Sequence, residues 1–268
     1  MNVIAKLIAH CSELGYWEGL RWFCARVVAR LQLPGWQRVL TIKPPDLVHP
    51  VMVRMLPSSD EMVFEQLFVG HEYAPLRQLK DINFVLDLGA NVGFASALFA
   101  SCHPNARILA VEPDPRNYEL CCQNVKPYGD RVKALLGAVW PIRSRLALSR
   151  GSFGDGRDWA TQVMEAGQDE EAKVEAWDVA SLLDLAREEY ADLVKIDIEG
   201  SEAEVFAANT TQWLPRVRNI CIELHGKECR EIFFRALRGF DYELAECGEN
   251  TLCLNLRRAG VMSAAKVG

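Results

Sequence analysis

The chain has 268 residues, 50% of them hydrophobic, enough to fill the core of one α/β domain with an appendage or of two small domains, so disorder is excluded. A formal net charge of −6 gives no general attraction to phosphate backbones, and no local basic patch stands out, so no nucleic-acid partner is expected. The nine cysteines form no CxxC pair and are odd in number, which fits reduced thiols in a cytoplasmic protein rather than a disulfide framework.

At the N-terminus, Lys6, His10 and Glu13 interrupt the apolar run that a signal peptide needs, and no stretch reaches membrane-spanning length. Tyr16 to Leu33 mixes Trp17, Leu20, Trp22, Phe23, Val27, Val28 and Leu31 with Arg21, Arg26 and Arg30. Residues 16–33 could therefore make peripheral membrane contact as an interfacial helix. Burial logic favours a helix packed on its own domain or on a second subunit. Pro34-Gly35 and Lys43-Pro44-Pro45 punctuate the next stretch, so residues 1–57 are expected as a helical N-terminal appendage with a short strand around Val51 to Met55. That appendage is the natural contact surface of a homo-oligomer, or a cap over substrate.

The main domain is expected over residues 58–258, with 259–268 as a tail. Ser58 and Glu61 have capping-box spacing, and Val63, Phe64, Leu67 and Phe68 then recur at helical spacing, predicting a helix from about Ser59 to Val69. From Asn83 short apolar strands alternate with helical stretches, the signal for βαβ units in a parallel sheet covered on both faces. Strands are placed at Phe84–Leu88, Arg107–Glu112, Val132–Leu136, Leu193–Ile198 and Asn219–Leu224. Tyr242–Cys247 and Thr251–Leu256, separated by Gly248-Glu249-Asn250, predict an antiparallel hairpin. Residues 149–172 are polar, carry Gly151, Gly154, Gly156 and Gly167 and show no period. They read either as a loop over the active site anchored by Trp159 or as a solvated insertion.

Three places carry chemistry. Asp87-Leu88-Gly89-Ala90-Asn91-Val92-Gly93 joins a buried strand to a helix beginning near Phe94, where two glycines permit a tight turn and free N–H groups face a ligand. A dinucleotide loop would need glycine where Asn91 and Phe94 stand, which argues against a nicotinamide-dependent oxidoreductase. An acidic residue at that strand end suits the ammonium of an amino-acid cofactor, S-adenosylmethionine (SAM), better. The second strand ends in Glu112-Pro113, a carboxylate able to accept from both hydroxyls of a ribose and a proline that stops the strand.

The strand holding Lys195, Asp197 and Glu199 is the least ordinary. Alternation puts the three on one side of a strand that should be central, where ionised groups need partners, and Glu223 and His225 join them from the next strand end. His225 and Cys229 are four apart but lack a second ligand pair, so no metal is expected.

The runs FVLDLGANVGFASALFA, AVEPDPRNYELCCQNV and DLVKIDIEGSEAEVF together resemble the FkbM family of SAM-dependent methyltransferases. RMLPSSDEMVFEQLFVGHEYAPL upstream, with SFGDGRDWATQV and VEAWDV in the centre, extends the resemblance over about residues 50–256. It implies a class I methyltransferase (Rossmann-like) fold, with a seven-stranded, mostly parallel sheet closed by the C-terminal antiparallel hairpin. It also implies SAM as cofactor and O-methylation of hydroxyls on sugars, glycans or natural products. By position, Asp87, Gly89, Ala90, Asn91, Gly93, Phe94, Glu112 and Pro113 would hold SAM, and Lys195, Asp197, Glu199, Glu223 and His225 would line the acceptor side. Ala138-Val139-Trp140-Pro141 departs from the small polar turn expected after the third strand. A non-catalytic SAM-binding regulator or partner protein would share the Asp87 and Glu112 region but would have little need for the charged residues of the later strands.

Overall fold

The computed structural model describes residues 3–31, 38–150, 161–165 and 173–260. Two helices come first, α1 (Val3–Leu14) and α2 (Tyr16–Leu31), followed by the antiparallel pair β1 (Val39–Ile42) and β2 (Val51–Arg54). The inner face of α2 lies on α3 (Asp60–Phe68): the Trp22 ring sits 4.3 Å from that of Phe64, and its Nε1 donates to Glu65 Oε1 at 2.7 Å. Arg26 completes the junction by pairing with Glu61 and Glu65. The capping box expected at the start of α3 does not form. Ser58 Oγ instead bonds within the Asp60 loop, while Glu61 accepts from Leu56 N at 3.1 Å and from Arg26 Nε at 3.1 Å.

The main sheet is built from β3 (Phe84–Leu88), β4 (Arg107–Glu112), β5 (Val132–Leu136), β10 (Leu193–Ile196), β11 (Ile220–Glu223), β12 (Phe240–Cys247) and β13 (Asn250–Arg258). Its order is β12-β13-β11-β10-β3-β4-β5, parallel from β5 to β11 and antiparallel for the final pair. This is the seven-stranded class I arrangement that the sequence implies. Helices α4 (Phe94–Cys102) and α5 (Pro115–Val125) cover one face together with α3, through Phe64, Phe68, Phe94 and Phe99. On the other face lie α6 (Val179–Ala186), α7 (Glu202–Ala207), α8 (Thr210–Trp213) and α9 (Lys227–Ala236), through Leu182, Phe206, Trp213 and Phe233. Strand order reverses between β3 and β10, so a crevice opens at the carboxyl ends of these strands.

A second sheet of order β6-β9-β7-β8 joins β6 (Ala138–Val139), β7 (Ser144–Arg150), β8 (Thr161–Glu165) and β9 (Lys173–Trp177). It explains Trp140-Pro141: instead of turning, the chain leaves β5 directly into β6, which pairs with β9, and Trp140 N bonds Trp177 O at 3.0 Å. Within the segment read as an irregular loop, residues 161–165 form β8 against β7. Residues 149 and 150 end β7, and the rest of that segment, with Trp159, lies outside the described residues.

Candidate functional site

Five successive buried residues make β3 a rigid base for the loop after it. The chain turns over at Gly89 (φ 77°), Asn91 (φ 50°) and Gly93 (φ 82°), and α4 begins at Phe94. No side chain fits at Gly89, because a Cβ there would lie 1.7 Å from Asp197 O; at Gly93 it would lie 2.9 Å from Cys121 Sγ. Gly89 N and Ala90 N bond Val111 O at 3.0 and 2.9 Å, which ties the loop to the end of β4. Asp87 is fully buried beneath the loop. Ser96 Oγ donates to its Oδ2 at 2.6 Å, and its Oδ1 lies 3.6 Å from Lys195 Nζ.

Glu112 ends β4 facing the same loop. Its Oε2 accepts from Asn91 N at 2.8 Å and its Oε1 from Asp114 N at 2.9 Å. Each oxygen keeps a further lone pair. Burial pushes this carboxyl up to about 7, against the two N–H bonds that favour its ionised form. Asp114 then caps α5 by accepting from Arg116 N and Asn117 N. A first cavity lies over Glu112 and Pro113 and is closed by Asn117, Gly137, Ala138 and Val139. Asn117 and Gly137 carry no motif in the sequence, and Ala138 and Val139 stand out there only as a departure from the expected turn, because the four come from a helix start and from the crossing into the second sheet.

Beyond β10 the geometry differs from the expected strand. The strand ends at Ile196 rather than Ile198, and Glu199 (φ 55°) turns the chain over. The cause is Glu202, whose fully buried carboxylate accepts from Ile198 N at 2.9 Å and Gly200 N at 3.0 Å and draws this backbone away from the sheet. Simple alternation thus places Lys195 but not Glu199, although both reach the same crevice with Asp197. Lys195 Nζ donates to Gly89 O at 2.7 Å and lies 3.4 Å from Asp197 Oδ2. Burial opposes its charge, but Asp197 and Asp87 outweigh it and the ammonium is held firmly protonated.

A second cavity of about 290 Å³ holds Lys195, Asp197, Glu199, Glu223 and His225 together, with Ala90 and Phe94 on its wall. Glu72, Tyr73 and Glu249 also line it; they lie after α3 and in the C-terminal hairpin turn, with no chemical signature of their own. His225 Nδ1 lies 3.2 Å from Glu202 Oε1, and its Nε2 lies 3.4 Å from Glu223 Oε1 and 3.8 Å from Glu199 Oε2. Hydrogen bonds to Glu202 and Glu223 push the imidazole up to about 11, against the effect of burial. Burial and the charge of Asp197 push Glu199 up to about 8, with His225 pulling the other way. Ligand atoms of Asp197, Glu223 and His225 lie within 4.8 Å of one another. Cys229 is buried on α9 and is not in this set. Gly89, Asn91, Asp197 and Glu199 line both cavities, which therefore meet at these residues.

Residues 87–249 match the model of the Methyltransferase FkbM domain. Methyltransferase sdnD of Sordaria araneosa is 27% identical over 198 residues, covering 61% of this chain and 74% of that protein. The 2-O-methyltransferase NoeI of Sinorhizobium fredii (strain NBRC 101917 / NGR234) is 27% identical over 161 residues, covering 55% of this chain and 65% of that protein. Among solved structures, a SAM-dependent methyltransferase from Agrobacterium tumefaciens superposes with a TM-score of 0.46 at 10% identity, covering 81% of this chain and 69% of that one.

Proposed function

Because this chain belongs to the FkbM methyltransferase family and uses SAM, we propose that it methylates a hydroxyl of a sugar, glycan or related natural product. The observation that carries this reading is the meeting of the two cavities at Gly89, Asn91, Asp197 and Glu199. Donor and acceptor must meet in line, and a carboxylate at that junction can take the proton of an alcohol. The relatives named 2-O-methyltransferase NoeI and O-methyltransferase imqG support oxygen as the acceptor atom.

The first cavity would receive the nucleoside of SAM. Glu112 carries free lone pairs for two ribose hydroxyls, and the absence of a side chain at Gly89 lets the Asp197 backbone close up against the loop. Gly89, Ala90, Asn91, Gly93, Phe94 and Pro113 would shape the rest of the cradle. Asp87, buried on Ser96 and Lys195, would act on the cofactor's amino-acid end only through its neighbours. SAM supplies an electrophilic methyl group. The chain's own task is to place an acceptor oxygen against it and to remove one proton. Asp197 and Glu199 are the groups at the junction, so the hydroxyl donates its proton to one of these carboxylates. His225 lines only the second cavity, with both ring nitrogens facing carboxylates. Lys195 and Glu223 orient the acceptor and its base. The acidic wall suits hydroxyl-rich acceptors better than anionic ones.

Asp197→Asn, Glu199→Gln and His225→Ala should each bind SAM as the parent does. The variant that removes the base should turn over about 10² to 10⁴-fold more slowly on a saccharide acceptor found by release of S-adenosylhomocysteine. Full activity in all three would overturn the base assignment, and turnover confined to amines would overturn the hydroxyl. We further infer a cytoplasmic enzyme in which the exposed Tyr16, Trp17 and Leu31 of α2 meet a second copy or a membrane surface. Sedimentation with and without anionic vesicles separates those two.

A further inference from the structure

We propose that Asp197, Glu223 and His225 form a binding site for a hard divalent cation of the Mg²⁺ or Mn²⁺ class, which holds and polarises the acceptor oxygen. For its catalytic role the proposal rests on the assignment of hydroxyl methylation. The ligand atoms already lie within 4.8 Å of one another. Three ligands around an ion bound at about 2.1 Å stand ~3 to 4.2 Å apart, so the donors close on the ion by roughly 1 Å, within the reach of side-chain rotation. Two carboxylates and one imidazole are a donor set suited to such ions.

The imidazole is oriented for ligation by a group outside the set. Fully buried Glu202, itself fixed by Ile198 N and Gly200 N, faces His225 Nδ1 at 3.2 Å. The Nδ1 proton belongs toward that carboxylate, which leaves Nε2 to point at Glu223, 3.4 Å away. Carboxylate–histidine–metal arrangements use this division of the two nitrogens, with the outer carboxylate setting the tautomer. Ligation requires the neutral ring, so the cation takes the place of any proton on Nε2.

Two further observations point to a ligand here. The side chains of Asp197, Glu223 and His225 are 29%, 28% and 28% exposed, all into the second cavity, so a bound ion keeps open positions for acceptor oxygens. Tyr73, 5% exposed, lines the same cavity, and among the described residues no hydrogen bond reaches its hydroxyl. Its hydroxyl oxygen stays accessible from the cavity, free to bond an acceptor hydroxyl. The cavity also gathers Glu72, Asp197, Glu199, Glu223 and Glu249 against Lys195 and His225, an excess of negative charge that a dication offsets. The cation is neither consumed nor oxidised. It lowers the acceptor hydroxyl's pKa, and the released proton passes to Glu199 in its ionised form, which the charge of a neighbouring dication favours.

The test is titration of the chelator-treated, full-length protein with Mn²⁺ alone, followed by loss of the free-ion paramagnetic signal. One Mn²⁺ per chain is expected, bound at least about tenfold more weakly by Glu223→Gln and by His225→Gln. Both variants should keep the parental SAM affinity; Glu223→Gln should keep the melting temperature, and His225→Gln should lower it, because it takes a partner from fully buried Glu202. Should a variant misfold, paramagnetic broadening of the His225 ring resonance in the parent, with those of His10 and His49 spared, reports the same site. No binding at millimolar Mn²⁺, or binding that both substitutions leave intact, overturns the site. Turnover unchanged by chelation while Mn²⁺ still binds overturns its catalytic role. Calorimetry with SAM on the metal-free protein reads the transferase assignment separately.

Discussion

As the proposed ribose carboxylate, Glu112 would tie cofactor affinity to pH. Its carboxyl is pushed up to about 7 by burial, and only its ionised form offers acceptors on both oxygens to a ribose. SAM affinity measured by calorimetry should therefore fall as pH drops below about 7, approaching tenfold per unit, and this slope should vanish in Glu112→Gln. Glu112→Ala should weaken SAM by about 10- to 100-fold, the worth of hydrogen bonds to a charged group. On the fold itself the sign is opposite. The native state binds this proton more tightly than the unfolded chain, so the group's contribution to stability is full below 4.5 and declines as pH rises to about 7. At Gly89 a methyl group meets both a left-handed backbone and the Asp197 carbonyl. Gly89→Ala should cost on the order of 1–2 kcal/mol from the backbone alone and more from the collision, read as a lower melting temperature with loss of SAM binding. The places of Glu112 and Gly89 at the crevice were legible in the sequence, because the carboxyl ends of neighbouring parallel strands stand side by side. Asn117 and Tyr73 were not: their importance comes from where α5 begins and where the chain runs after α3.

At the scale of elements, the docking of α2 on α3 hinges on Glu65. Burial pushes its carboxyl up, but hydrogen bonds from His10 and Trp22 and the charge of Arg26 outweigh it and bring it down to about 2. The folded pKa is depressed, so this contribution to stability is present above 4.5 and is lost as pH falls toward about 2. Limited proteolysis should accordingly release the N-terminal helices in acid before the main sheet opens, and Glu65→Gln should shift that release toward neutral pH. The strand pattern from Phe84 onward was readable because a parallel sheet covered on both faces needs continuous apolar runs. The end of β10 was not. Glu202 lies several residues later, and nothing in its sequence position shows that it captures the backbone N–H groups of Ile198 and Gly200. The missing capping box at Ser58 has the same origin, a glutamate claimed by a distant arginine.

For the whole molecule, binding to the native state alone should raise stability by mass action. SAM at 100 times its dissociation constant adds about 2.7 kcal/mol, which should move the melting temperature by about 5–10 °C, with NAD giving no shift. The overall architecture followed from βα alternation and one terminal hairpin, whereas the second sheet did not, since β6 has two residues and β8 lies in a stretch without period. Lys195 joins these scales. One ammonium reaches Gly89 O on the donor side, and Asp87 and Asp197 at the floor and the acceptor side. It works as a rivet through the molecule: in the proposed reaction, the spacing between the two partners would be built into the scaffold before either ligand arrives. Acceptor preference is then free to vary. Glu72 or Glu249, on the rim of the second cavity, would then be the positions to exchange for new substrates while the reach of the transfer stays as it was, which makes this chain a natural starting point for redirecting methylation by design.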